Sequence, residues 1–202
     1  MLVLDHLAVS CRALAEGTQA LEGALDVPFQ PGGKHPHFGT HNQLLGLGPE
    51  YLEVIAIDPA AAPLGNARWF DLDRFAGPPR LTNWIVRVAA LEEALAALGP
   101  EYGTPVSLAR GDLRWRMAVP ASGVLPYDNC APAIIEWETP PPLSALKDHG
   151  HRLAALTVTH PRAEALAAQL APYLGDDRIG FEPGPAALSA RFERAGTGYA
   201  LT

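Results

Sequence analysis

Cysteine is scarce: Cys11 and Cys130 are the only two in 202 residues, too few and too far apart for a disulfide framework or a cysteine-built zinc site. No apolar run approaches the roughly 18 to 20 residues that span a bilayer. The formal net charge is −7 and the basic residues are scattered, so no nucleic-acid footprint is visible. Nowhere does a G-x-G-x-x-G follow a strand, and there is no G-x-x-x-x-G-K-[ST] and no G-x-S-x-G, so nucleotide cradling and triad hydrolysis lack their usual supports. The opening residues MLVLDHLAVS enter a strand pattern at once, leaving no room for a charged leader and cleavage site. These absences predict a soluble, cytoplasmic protein without nucleic-acid or membrane partners. What is present is a chain with 48% hydrophobic residues, long enough to bury its own core.

Its elements repeat. Leu2 to Ser10 reads as a strand and Ala13 to Leu25 as a helix with Leu14, Leu21 and Leu25 in phase, although Gly17 and Gly23 weaken it. Asp26 to Lys34 is turn-rich, with at most a short irregular strand. Asn42 to Leu47 and Tyr51 to Ile57 then form a hairpin about Gly46, Gly48 and Pro49. After a linker rich in Pro and Ala, the order β-α-β-β-β begins again: Leu81 to Val88, a helix carrying Leu91, Leu95 and Leu98, Pro105 to Ala109, Leu113 to Val119, and Ala133 to Glu138. Aligning the copies places His6 over Asn83 and, on the fourth strands, Glu53 over Glu136. A carboxylate in the middle of an apolar strand is costly unless a charge or metal compensates it. A third, incomplete copy is expected from Leu153 onward. The predicted divisions are 1–58 and 81–139 for the two modules, 59–80 for the linker and 140–202 for a C-terminal partial module.

The residues that carry a resemblance are the DH of the first strand, the GTHN segment, YLE on the fourth strand, the WFDLDRF linker and the IIEW strand. Together they resemble the glyoxalase-like domain of the vicinal oxygen chelate superfamily. The resemblance implies an α+β fold in which paired β-α-β-β-β modules curl into a cradle. It also implies a divalent metal (zinc, nickel, manganese or iron) that chelates neighbouring oxygens of a small substrate. On this basis His6, Glu53 and Glu136 are expected metal ligands, with Glu53 or Glu136 moving a proton. Asn83 departs from the superfamily, which usually places His, Gln or Glu there. Cradles of this kind form within one chain or between two, so a homodimer is an open alternative.

His41 depends on the hairpin register. With Gly46 to Pro49 as the loop, residue 41 lies opposite 55 and shares Glu53's face as a further ligand; a loop shifted by one residue turns it away. His35 and His37 read as solvated loop histidines that Gly39 could fold toward the mouth, with His37, Asn42 and Asn83 as substrate-pocket candidates. The predicted function is a divalent-metal-dependent lyase or isomerase acting on a small molecule with vicinal oxygens. The alternatives are a non-catalytic small-molecule binding protein or, with His41 in the site, an iron-dependent dioxygenase.

Overall fold

The computed structural model describes residues 1–202. The first module runs β1 (Val3–Ser10), α1 (Leu14–Leu25), β2 (Gln30–His35), β3 (Thr40–Gly46) and β4 (Tyr51–Ile57). Helix α1 needs one of its two glycines, Gly17, for packing, while a Cβ at Gly23 would meet nothing within 4 Å. A Cβ at Gly17 would stand 2.4 Å from Cys11 Sγ, so only glycine lets the helix lie this close to the end of β1. The helix buries Leu21 and Leu25 and stops at Asp26, which adopts the left-handed conformation with φ 51°. Strand β2 is the irregular one, its pairing with β3 interrupted between Pro31 and Lys34.

The second module repeats the order as β5 (Arg80–Arg87), α2 (Leu91–Leu98), β6 (Thr104–Arg110), β7 (Leu113–Val119) and β8 (Ala133–Trp137). The two halves form one eight-stranded sheet in the order β2-β3-β4-β1-β5-β8-β7-β6. β1 runs parallel to β4 and β5 parallel to β8, while β1 and β5 meet antiparallel at the centre. This is a glyoxalase-type arrangement of two modules about a pseudo-twofold axis, with Leu7 and Trp84 paired across it.

Alternation along the strands separates two cores. Leu52, Val54, Ala56, Trp84, Val86 and Ile134 belong to the larger core on the convex side. Ala8, Ile55, Ile85, Ala133 and Ile135 belong to a smaller one on the concave side. The linker fills much of this hollow: a 3-10 segment, Trp69–Arg74, inserts Trp69, Phe70 and Leu72 into the concave core.

The C-terminal part does not repeat the module. Strands β9 (Arg152–Thr159), β10 (Ile179–Glu182), β11 (Ala187–Arg194) and β12 (Thr197–Leu201), with α3 (Ala163–Leu170) after β9, recur in the sequence order β-α-β-β-β. Yet their sheet order is β10-β9-β11-β12, with β9 between a parallel and an antiparallel neighbour. In both true modules the last strand, not the third, lies beside the first. The expected third copy is therefore a different small sheet. It covers the convex face, where Leu153, Leu156, Val158, Leu188 and Phe192 join the same core as Leu4 and Trp84. No helix is long and apolar enough to cross a membrane, and both cysteines are free and buried.

Candidate active site

Two adjacent strands place the central pair. His6 on β1 and Glu53 on β4 both face the concavity, each 5% exposed, and Nε2 of His6 stands 3.6 Å from Oε2 of Glu53. That gap is too long for a hydrogen bond. The opposite ring nitrogen of His6, Nδ1, is 2.7 Å from Asp5 Oδ1, and Tyr51 stacks on the ring at 4.3 Å with the planes 13° apart. Asp5 also accepts hydrogen bonds from Trp137 Nε1 at 3.1 Å and Arg87 Nη1 at 3.5 Å.

A chain of hydrogen bonds continues from Glu53 across the mouth. Asn42 Nδ2 donates to Glu53 Oε1 at 2.5 Å, while Asn42 Oδ1 accepts from Gly33 N at 2.8 Å and Arg110 Nη1 at 3.0 Å. The same Nη1 lies 3.3 Å from His35 Nε2, and His35 Nδ1 is 3.1 Å from Thr40 Oγ1. Arg110 comes from the far edge strand, β6, and arrives because the sheet curls until β6 meets β2. A Cβ at Gly33 would stand 2.5 Å from Arg110 Cδ, so glycine there makes room for the arginine stem.

These contacts fix the protonation states. Burial would lower the His6 pKa, but Asp5 and Glu53 on either side of the ring hold it above its ordinary value. Burial would raise Glu53; His6, His35 and Asn42 outweigh it and bring its pKa to about 2. His35 is pushed down to about 4, by burial first and then by Arg110, against the pull of Glu53. The site therefore favours the charged form of His6, set between two carboxylates, and keeps His35 neutral at neutral pH. A histidine-detected NMR titration should show the His6 ring changing charge above pH 6.5 and the His35 ring staying neutral until near pH 4. A His6 transition below pH 6 would contradict the arrangement.

The remaining wall is aromatic and apolar: Trp69, Phe70, Trp115, Met117, Ile135 and Trp137. The enclosed free space is about 30 Å³, and the hollow measures about 370 Å³ out to its solvent-open mouth. At roughly 10–15 Å³ of such space per water, the enclosed part holds about two water molecules.

The expected site residues separate by face. His6, Glu53 and Asn42 come together in the pocket. Glu136 does not. It lies with Ile134 on the convex side, where Arg116 Nη2 hydrogen-bonds it and the first backbone N–H of α2, at Leu91, is 3.4 Å away. Trp137 takes the concave side instead. Strand register shows why the sequence alignment slipped: Ala8 is flanked by Glu53 on β4, and its counterpart Ile85 is flanked by Ala133 on β8. Ala133, not Glu136, occupies the position matching Glu53.

His41 is corrected as well. The hairpin loop is Leu47–Glu50, closed by Leu47 N donating to Glu50 O at 2.9 Å, so His41 pairs with Ala56 and faces away from Glu53. His37 is exposed and lines a shallow outer depression with His35, Ser107 and Trp115. Asn83 does share the concave face, opposite Ala8, but it is 0% exposed, and neither its Oδ1 nor its Nδ2 has a hydrogen-bond partner. It is walled off from the His6 pocket. Asp5, His35, Tyr51, Arg110 and Trp137 are the pocket residues sequence reading missed or assigned elsewhere. Burial of His35 between β2 and Trp69 carries no signature in HPHFG, and Arg110 lies 68 residues from Asn42.

The donors present do not make a divalent-metal site. The first module offers His6 and Glu53, the matching positions of the second are Asn83 and Ala133, and no group of three or more His, Cys, Asp or Glu is disposed to hold a metal. Arg110 adds a fixed positive charge to the same pocket.

Fold and site together define a cradle with His6 and Glu53 in the wall of a small hollow. Residues 4–174 match the model of the glyoxalase-like domain family, and the chain belongs to that family. A hypothetical protein from Staphylococcus aureus has the same fold over the full length, with 13% identity, 99% of this chain and 98% of that one covered, and a TM-score of 0.68. Weaker matches include methylmalonyl-CoA epimerase from Mycobacterium tuberculosis (19% identity, 71% and 91% covered, TM-score 0.42). The Streptomyces coelicolor epimerase, solved as a Q60A variant with 2-nitronate-propionyl-CoA, matches at 11% identity with 68% and 97% covered and a TM-score of 0.44. TM-scores this low carry no argument about this chain. No curated protein matches it by sequence.

Proposed function

We propose that this protein is an isomerase or lyase that moves a proton on a small substrate with vicinal oxygens, using His6 and Glu53 rather than a complete metal centre. The observation that carries the reading is the 3.6 Å gap between His6 Nε2 and Glu53 Oε2, held open on both sides by Asp5 and Asn42. A substrate lying against the pair, with its carbonyl oxygen on His6 Nε2, accepts the proton of the imidazolium while the carboxylate removes a proton from the adjacent carbon. The electron pair of the broken C–H bond forms the new C=C bond, the C=O π pair takes the His6 proton, and the former carbonyl oxygen becomes an enediol hydroxyl.

The low pKa of Glu53 is no obstacle, because much of it comes from the charge on His6. As His6 passes its proton to the oxygen, that charge disappears and the basicity of Glu53 rises in step. Trp69, Trp115 and Trp137 keep bulk water from the intermediate.

The test is C–H exchange in D2O. A panel of α-hydroxy ketones, aldehydes and acids is followed by proton NMR with protein stripped by chelator and with protein supplemented with zinc, nickel, manganese or iron. We expect exchange by the stripped protein, lost in Glu53→Gln. Exchange that appears only on adding metal, or that survives Glu53→Gln, would overturn the assignment.

A further inference from the structure

Arg110 is the one pocket group whose chemistry the proton-transfer scheme leaves unused. Its guanidinium makes no ion pair; no carboxylate oxygen lies within 4 Å of it, whereas Arg87 is matched by Asp5 and Arg116 by Glu92 and Glu136. Nη1 is spent on Asn42 Oδ1 and His35 Nε2. Nε and Nη2 have no protein partner and are not sealed from solvent. An arginine left in this way presents one planar N–H edge, the shape that grips a carboxylate through two parallel hydrogen bonds.

The positioning is built rather than incidental. Gly33 gives way to the stem. His35, with Nδ1 turned to Thr40, offers an unprotonated Nε2 to Nη1, and Asn42 holds Arg110 with its oxygen and Glu53 with its nitrogen. Charge agrees. In a chain of net charge −7, the two pocket carboxylates, Asp5 and Glu53, are answered by His6 and Arg87 on the spot, so Arg110 is a surplus cation in a largely buried, aromatic-walled hollow.

We propose that Arg110 recognises an anionic carboxylate on the substrate, so that the substrate class is a small 2-oxo monocarboxylic acid with its keto oxygen directed at His6. This rests on the proton-transfer reading for the second half of the statement only. Arg110 binds the carboxylate at the mouth, and the α-carbon then lies toward the His6–Glu53 gap.

Binding is read from quenching of the pocket tryptophans, Trp69, Trp115 and Trp137. The probes are 2-oxo monocarboxylates of two to four carbons, each beside its uncharged amide. The wild type should bind at least one acid about tenfold or more tightly than the matching amide. Arg110→Met should bring the two within about twofold, and Arg110→Lys, which keeps the charge but not the planar edge, should fall between. Failure of every acid to bind the wild type, equal binding of acid and amide, or a preference that survives Arg110→Met would each overturn the proposal. The exchange assay separates the two readings. Acids held through Arg110 without C–H exchange would end the proton-transfer reading alone, whereas exchange on neutral compounds that is indifferent to Arg110→Met would end this one alone.

Discussion

His6→Ala should be the most damaging single substitution in the molecule, costing about 3–5 kcal/mol of stability because it strips the counter-charge from two buried carboxylates at once. Asp5 would keep Trp137 and Arg87, the latter at 3.5 Å; Glu53 would keep only Asn42. The stacked face of Tyr51 is lost as well. C–H exchange should vanish with the same substitution, since the imidazolium is the proton donor. The pH dependence follows from the signs. The His6 pKa is raised above its ordinary 6.5, so its stabilisation is complete below 6.5 and is lost as pH rises through the folded value. Glu53 is lowered from 4.5 to about 2, so its share is complete above 4.5 and is lost as pH falls through 2. Urea denaturation of wild type and variant should therefore show the widest gap between pH 4.5 and 6.5, narrowing on both sides. His41→Ala is the control. Its ring lies on the opposite face, paired with Ala56, and the expected cost is within about 1 kcal/mol. A His6→Ala gap that is flat with pH, or no larger than that of His41→Ala, would mean the carboxylates are not held by an imidazolium.

Deleting residues 147–202 should abolish the native fold, although both β-α-β-β-β modules would remain. The C-terminal sheet contributes Leu153, Leu156, Val158, Leu166, Leu188 and Phe192 to the convex core, each at most 5% exposed. At about 1.5–3 kcal/mol for each large apolar side chain withdrawn from water, this burial is on the order of 10 kcal/mol, comparable to the whole net stability of a typical domain. The surface they now cover, Trp84 among it, would be exposed. Polar ties go too: Arg178 to Glu50 at 2.5 Å, His151 Nε2 to the Leu25 carbonyl at 2.9 Å, and Leu2 N to Tyr173 O at 2.8 Å. The expected product is a chain with poor NMR dispersion, dye-binding apolar surface and no cooperative melting transition. A dispersed spectrum and a sharp transition from residues 1–146 would show that the modules stand without their cover.

The difference between the two central strands and the outer ones is instructive. On β1 and β5 the repeat alignment was right to the residue: Leu7 and Trp84 face each other across the axis, and His6 and Asn83 share the concave side. The following helices, whose leucines recur in phase, pinned that register. On β8 nothing comparable did. YLEVI and IIEWE look alike, but the true match to Glu53 is Ala133, three residues earlier, and an odd displacement along a strand exchanges its faces. Glu136 went to the convex side, beside the start of α2, and Trp137 to the pocket as one consequence. His41 faces outward because Gly46 pairs with Tyr51 and so sets it opposite Ala56; a Gly46–Pro49 loop would have set it opposite Val54, on the same face.

The sequence by itself determined the α+β class, the paired modules, and His6 with Glu53 on neighbouring strands, because periodicity and a charge inside an apolar strand are local properties. Tertiary structure alone decided which faces meet across the cradle. Curling of the eight-stranded sheet brought Arg110 of one edge strand to Asn42 and His35 of the other, and the C-terminal strands rejected the module's pairing order in favour of covering its back. Both outcomes depend on how distant surfaces close on one another, and the cost of leaving apolar area in water sets that closure over the whole chain rather than in any one stretch of it.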